Sequence, residues 1–356
     1  MKKRIGIITY WGFGRGQAYL SMCHAKMMIP EYEIYILKQG TNDIESEFKI
    51  DVTVTEIPSY NINPEVFKLW ITSNKLDAII LNEYNQWDVF KDDNNLIKIA
   101  KDLGVKVYGW LVWEKFYNKE DYKDYDYIIS STNSMTRFLR QEKVRNFKYI
   151  PYSLDLKEFP IYDKKKNEKF TFFHPGGFGG AYERKATGKV IEAFLLLHDS
   201  NTKMIITMQR DYKMEPHPDN IEIIDRNLSR GELLEIYRKA DAVVLPSKWE
   251  SVGIPIVESL ASYTPVITNN MPPMNEFIRE GLNGYLCDMS LKQYSDIAVL
   301  AAEVDVVSLK IKMQNILNEL LHPVLCRNSR YVVEQLYDIE KNKHYMLDFL
   351  KENLGE

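Results

Sequence analysis

Asp241-Ala242-Val243-Val244-Leu245-Pro246-Ser247-Lys248-Trp249-Glu250-Ser251-Val252-Gly253-Ile254-Pro255-Ile256-Val257-Glu258 is the stretch whose reading decides the fold. Asp241 to Leu245 is a short apolar run suited to a buried strand, and Pro246-Ser247 stops it. Pro255 stands where a first helical turn begins, because its missing N–H is not needed there. Between strand and helix, Gly253 lets the backbone approach a ligand closely, and the N–H groups of the helix start point at the same place. That combination favours an anion such as a diphosphate and makes Ser251, Val252, Gly253 and Ile254 the candidate cradle.

Glu250 lies at the strand's end and Glu258 about one helical turn inside the following helix. Carboxylates accept hydrogen bonds from sugar hydroxyls, and two of them can hold two different rings. A phosphate flanked by hydroxyl-binding groups suggests a sugar nucleotide. Two arbitrary glutamates at this spacing would be solvated surface charges. The strand, turn and helix signals in register around them favour the site reading.

A chain of 356 residues, 45% of them apolar, is long enough for two cores of ordinary size. The net charge of −4 gives no broad positive field, so nucleic acid is not an expected partner. Cys23, Cys287 and Cys326 are odd in number and far apart, which argues against a disulfide framework and for a reducing compartment. No metal-ligand spacing is present. The basic start Met1-Lys2-Lys3-Arg4 precedes an apolar run too short for a signal peptide, and no run approaches a bilayer-spanning length. A cytoplasmic protein is expected, with a peripheral membrane contact as the runner-up.

Outward from the central stretch, strands are expected at Arg4–Tyr10, Glu33–Leu37, Asp51–Ile57, Asp77–Leu81, Lys106–Leu111 and Tyr127–Ser130. Helical stretches separate them, the first at Ala18–Met28. A second series runs through Phe170–Phe173, a helix to Leu197, Lys203–Met208, Asn220–Asp225 and a helix Glu232–Lys239 capped by Ser229. Alternating strands and helices indicate parallel sheets covered on both faces, with ligands beyond the strands' carboxyl ends. Asp163 to Lys169 is charged, lacks apolar periodicity and reads as a solvated linker. Leu291 to Leu350 reads as helical.

Several strand ends are chemically rich. Gly14, Arg15 and Gly16 form a glycine turn suited to a phosphate, spaced G-x-G-x-G and not as the dinucleotide G-x-G-x-x-G. Glu83, Trp110, Trp113 and Glu114 offer rings and acids that suit a sugar acceptor, if the tryptophans are exposed. Four glycines between Gly176 and Gly180 precede Arg184 and Lys185, a second phosphate loop with one forked cation and one point charge. Asp124-Tyr125-Asp126 precedes its strand, where a metal-binding D-x-D would follow it, and reads as structural.

Glu250 and Glu258 reproduce the E-x7-E spacing of retaining glycosyltransferases of family 4, and the resemblance covers the whole chain. Leu245-Pro246-Ser247, Gly253-Ile254-Pro255, Pro265-Val266, Glu276 and Gly281-Leu282-Asn283-Gly284-Tyr285 match the family's surrounding pattern. The resemblance implies an α/β protein of the GT-B fold, two Rossmann-like domains facing across a cleft. It places an acceptor domain at residues 1–158, with a helix at about 335–356 crossing back, and a nucleotide-sugar donor domain at 159–334. Tyr149-Ile150-Pro151-Tyr152-Ser153-Leu154-Asp155 resembles the segment closing the first domain, with Ser153 in place of a glycine. Tyr263 also stands where the family prefers glycine, at a left-handed helix end.

What the resemblance implies about function is transfer of a sugar from a nucleoside diphosphate sugar, a UDP-sugar expected, to a hydroxyl of a glycan, lipid-linked or protein acceptor. Configuration would be retained, and neither metal nor cofactor used. Lys185 falls on the family's diphosphate lysine, with Arg184 as its partner. Glu258 would hold the ribose, Glu250 the donor sugar, and Asn227 lies in the turn beside the base. The loop with Gly14, Arg15 and Gly16 would touch donor or acceptor. The family's histidine near the reacting carbon is missing, since no histidine lies between His24 and His174, so that role is either absent or filled by Glu114 or a backbone carbonyl. The alternative is a catalytically degenerate sugar-nucleotide-binding protein acting as a regulatory or scaffold subunit.

Overall fold

The computed structural model describes residues 2–12, 16–40, 50–59, 61–82, 95–116, 122–162, 164, 166–177, 183–209, 218–295, 297–318 and 320–355, without the side chain of Trp113. Two units divide the chain, Met1–Ser153 with Ile339–Glu356, and Leu154–Asp338.

In the first unit β1 (Arg4–Thr9), β2 (Glu33–Gln39), β3 (Thr53–Ile57), β4 (Ala78–Asn82), β5 (Lys106–Trp110), β6 (Tyr127–Ser130) and β7 (Phe147–Tyr149) form one sheet in the order β3-β2-β1-β4-β5-β6-β7. Every neighbouring pair is parallel. β1 and β4 are buried along most of their length, as strands covered on both faces must be. Among the crossover helices, α1 (Gly16–Met28) is buried nearly all round. α2 (Pro64–Asn74) starts on Asn63, whose side chain accepts from the Glu65 and Val66 N–H groups, with proline in the first turn. α3 (Leu96–Asp102) and α4 (Asn133–Gln141) start the same way on Asn95 and Thr132. Asp126 has a structural task, since one carboxylate oxygen accepts from Val107 N–H at 2.9 Å and the other pairs with Lys106 at 3.3 Å.

The second unit repeats the plan. β8 (Phe170–Gly176), α5 (Thr187–Leu195), β9 (Thr202–Met208), β10 (Ile221–Ile224), α6 (Arg230–Lys239), β11 (Ala242–Leu245), α7 (Ile254–Ala261), β12 (Val266–Asn269) and β13 (Gly284–Cys287) follow in sequence. The six strands lie in the order β10-β9-β8-β11-β12-β13, all parallel. Phe172, Val190, Phe194, Ile206, Val244 and Ile267 are among the residues of its core. α6 opens with a capping box, in which Ser229 accepts from Glu232 N–H and the Glu232 carboxylate accepts from Ser229 N–H.

Two expectations are corrected here. Leu291–Leu350 is not helical throughout. β14 (Met289–Lys292) and β15 (Ala301–Val304) pair antiparallel before α8 (Val306–Ile316) and α9 (His322–Leu336) begin. Neither strand carries a clear period of two, since β14 is mostly exposed and β15 mostly buried. The segment Asp163–Lys169 is solvated only in part: Lys166, Glu168 and Lys169 are exposed, but Lys164 Nζ donates to Thr264 Oγ1 at 2.7 Å and Asn167 Nδ2 to Asp241 at 2.7 Å. Burial pushes the Lys164 ammonium down to about 8.

Tyr263 adopts a left-handed φ of 57° after α7. The surroundings hold it there. Tyr162 packs edge-on against its ring at 5.4 Å, the Arg330 guanidinium lies 5.5 Å from the ring centroid, and Lys164 donates to its carbonyl. Finally α10 (Ile339–Leu354) packs on α1, and Phe349 meets the rings of Tyr108 and Tyr127 in the first unit. Ser153 fits this return, since its hydroxyl accepts from Asn342 Nδ2 at 2.9 Å.

Candidate functional site

In a parallel sheet ligands collect beyond the carboxyl ends of the strands, where the strand order reverses. In the second unit that place lies between β8 and β11, which pair directly. The segment after β8 carries Arg184 and Lys185, and the loop after β11 carries Glu250. The two are tied backbone to backbone, Lys248 N–H donating to Arg184 C=O at 2.8 Å.

Glu250 is the centre of the arrangement. One carboxylate oxygen pairs with Lys185 Nζ and the other with Arg184 Nη1 at 3.0 Å, and Arg184 Nη1 also reaches Trp249 C=O at 3.2 Å. Glu250 and Lys185 are both buried. Burial alone would raise the Glu250 carboxyl, but the charges of Arg184 and Lys185 outweigh it and hold the group at about 2. The acid is therefore ionised at neutral pH.

Glu258 lies in the second turn of α7. Gly253 caps that helix with a φ of 88°, a value few residues with a side chain adopt, and Pro255 falls in its first turn. The N–H groups at the start of α7, around Val252, Gly253 and Ile254, follow directly on Glu250. Val252 and Gly253 are buried, Ser251 and Ile254 half-buried. Glu258 is buried and pairs with Arg230 Nη1, the first residue of α6.

Supports lie behind these groups. His174 is fully buried, its Nδ1 against Val244 C=O at 2.8 Å and its Nε2 against the Thr187 hydroxyl at 2.9 Å. A neutral ring that donates from Nδ1 and accepts at Nε2 satisfies both, and burial pushes the ring down to about 4. The bond to Thr187 anchors the start of α5, two residues after Lys185. Asn269 Nδ2 donates to the carbonyls of Pro246 and Ser247, fixing the loop's root. On its other side β15 holds the loop, with Ala302 N–H donating to Lys248 C=O at 2.7 Å and Glu303 pairing with Lys248 Nζ at 3.1 Å.

The remaining expected positions are less concentrated. Asn227 is exposed, its carbonyl accepting from Arg226. Gly16 is the exposed first residue of α1, while Gly14, Arg15 and Glu83 lie outside the described residues. Trp110 is not an exposed stacking face. It is 6% exposed and donates its indole N–H to Ser131 Oγ at 2.7 Å, because the end of β5 turns it into the core. Trp113 and Glu114 belong to a single 3₁₀ turn in which Glu114 is half-buried. Arg230, His174 and Asn269 were not singled out from the sequence. Their partners lie 28, 70 and 23 positions away, and no local pattern encodes such pairings.

Among the described residues no group of His, Cys, Asp and Glu is placed to hold a metal ion, and no helix is long and apolar enough to cross a membrane.

Residues 179–305 match the family model for glycosyl transferases group 1. Among curated proteins, the O-antigen chain mannosyltransferase RfbU of Salmonella typhimurium is 32% identical over 124 residues, 33% of this chain and 35% of that protein. The match thus spans about a third of that relative's length. Two solved structures resemble the chain over nearly its whole length. Sucrose-phosphate synthase from Thermosynechococcus elongatus has a TM-score of 0.76 at 15% identity, covering 99% of this chain and 100% of the other. HepE from Anabaena, solved with UDP and glucose, has a TM-score of 0.75 at 12% identity, covering 98% and 100%. The fold is GT-B, built from two Rossmann-like α/β domains.

Proposed function

We propose that the chain is a retaining glycosyltransferase of family 4 that moves a sugar from a nucleoside diphosphate sugar, UDP-linked, to a hydroxyl of a glycan, lipid-linked or protein acceptor. One observation carries this reading. At the place where the strand order of the second unit reverses, Arg184 and Lys185 converge on Glu250 directly before the amino end of α7, with Glu258 inside the same helix. The matched glycosyl transferases group 1 segment contains all four residues. HepE, with UDP and glucose in its structure, supports the choice of uridine.

In this reading the acceptor oxygen attacks the anomeric carbon from the side of the leaving group. The carbon–oxygen bond to the diphosphate breaks, and a diphosphate oxygen takes the acceptor proton. Lys185, Arg184 and the N–H groups of residues 252–254 take up the charge that builds on the diphosphate as it leaves. Glu258 accepts hydrogen bonds from the ribose hydroxyls, and Glu250 orients the donor sugar. Neither glutamate is the nucleophile.

The test is calorimetric titration with UDP, GDP and ADP, repeated on Glu258→Gln, followed by turnover of the matching sugar nucleotide. Binding of one diphosphate is expected, weakened about tenfold or more in the variant, with turnover that collapses in Glu250→Ala. A folded protein that binds none of the three overturns the donor site. Binding without turnover, unchanged by Glu250→Ala, identifies a non-catalytic sugar-nucleotide receptor instead.

A further inference from the structure

Glu258 has a neighbour that the motif does not include. Arg230 opens α6, lies 28 residues upstream, and places Nη1 on Glu258 Oε1. Its Nε faces Glu158 Oε2 at 3.6 Å, and its guanidinium lies 5.7 Å from the centre of the Phe159 ring. Glu158 ends the 3₁₀ turn Leu156–Glu158, which leads into the second unit's first strand. From the same helix, two turns on, the Tyr237 hydroxyl is hydrogen-bonded to Glu258. The Glu258 side chain is 4% exposed and that of Arg230 20% exposed, so the guanidinium screens a carboxylate otherwise enclosed by protein.

We propose that Arg230 is a positioning residue of the donor site: it holds the buried Glu258 carboxylate charged and aimed, so that the lone pairs left over accept from both hydroxyls of a ribose. This rests on the donor reading above. The chemistry behind it is general. A carboxylate accepts at about four lone-pair positions, and a protonated one loses part of that capacity and becomes a donor. Burial is the largest influence and leaves the Glu258 carboxyl above its ordinary value; Arg230 opposes it through charge and hydrogen bond, Glu158 adds to the rise, and Tyr237 pulls the group down. Arg230 supplies the only cation among these groups. Without it, Glu258 takes up a proton at a higher pH, and ribose recognition weakens while the diphosphate contacts of Lys185 and Arg184 stay in place. The contribution is therefore to the ribose and not to the phosphates, which is where a purely structural role would differ.

Two readouts test this on the full chain in Arg230→Gln, Arg230→Lys and Glu158→Gln, each checked for folding by circular dichroism. The first needs no ligand. The carboxyl ¹³C resonance that disappears in Glu258→Gln is titrated, and its midpoint is expected to rise by about one pH unit or more in Arg230→Gln, to be largely restored in Arg230→Lys, and to fall in Glu158→Gln. The second compares the nucleoside diphosphate that the wild type binds with its 2′-deoxy counterpart. A preference of about tenfold for the ribose form is expected in the wild type. It should shrink in Arg230→Gln, with affinity recovering as pH rises, and return in Arg230→Lys. A folded Arg230→Gln with an unmoved resonance midpoint and an unchanged ribose preference overturns the proposal. Should Arg230→Gln not fold, an unmoved midpoint in Glu158→Gln does the same. A wild type that binds no nucleoside diphosphate removes the donor reading and the ribose role with it, while the resonance still decides whether Arg230 sets the charge of Glu258.

Discussion

Glu250 satisfies two cations with one carboxylate, and one of those cations, Lys185, is as buried as the acid. Glu250→Gln leaves a buried ammonium without its counter-charge, and such a broken pair costs about 3 kcal/mol. Urea unfolding should show the loss at neutral pH. The pH dependence has a definite sign. The folded-state carboxyl sits near 2 against an ordinary 4.5, so its contribution is present above about 4.5 and is lost as pH falls from there toward 2. Wild type should lose stability through that window more steeply than Glu250→Gln. A separate loss begins at milder pH. His24 in the first unit and His174 in the second are both buried and pushed by that burial from 6.5 down to about 4. Stability carried by their neutral rings is complete above 6.5 and falls away between 6.5 and 4. His174→Gln should flatten part of that slope in denaturant midpoints measured against pH.

At the scale of elements, the turn after α7 sets strain against packing. The left-handed conformation of Tyr263 costs about 1 to 2 kcal/mol, while the Tyr162 and Arg330 contacts to its ring return about 1 to 2 kcal/mol together. Tyr263→Gly should therefore stay within about 1 kcal/mol of wild type. Tyr263→Val keeps the strain, adds a branched Cβ and loses the ring, and should be destabilised by about 2 kcal/mol or more; both follow from urea midpoints. The start of α6 was legible because its signal is local, Ser229 capping the helix that follows, whereas the left-handed place of Tyr263 was legible only through the family's preference for glycine there. Arg184, Lys185 and Glu250 were legible for a different reason. Glu250 follows one apolar run, Arg184 and Lys185 follow the glycine-rich stretch after another, and β8 and β11 being neighbours brings the two segments together. What stayed hidden depends on partners distant in sequence. Nothing around Arg230 names Glu258, nothing around Trp110 names Ser131, and Lys164 looks like a solvated charge until Thr264 and the Tyr263 carbonyl are beside it. The strands β14 and β15 were missed because four-residue strands show too little of their period to outweigh the helical stretch that follows.

At the scale of the whole molecule, the two units are unequal in how they are assembled from the chain. The second is one continuous piece, Leu154–Asp338, whereas the first joins Met1–Ser153 to Ile339–Glu356. Met346, Phe349 and Leu350 of α10 are fully buried in that first unit. Burying side chains of this kind stabilises by roughly 1.5 to 3 kcal/mol each, which together rivals the net stability of a whole domain, about 5 to 15 kcal/mol. A chain ending at Asp338 should therefore keep a cooperative unfolding transition for the second unit and lose the one for the first, a difference that calorimetry and amide exchange would both register.

The same arrangement sets an order of events at the ribosome. The first unit is the first to emerge, yet the helix that covers α1 and the rings of Tyr108 and Tyr127 is made only after all 185 residues of Leu154–Asp338. During that interval the nascent first unit presents an uncovered apolar face, the kind of surface that chaperones bind. The unit translated first is thus the one completed last.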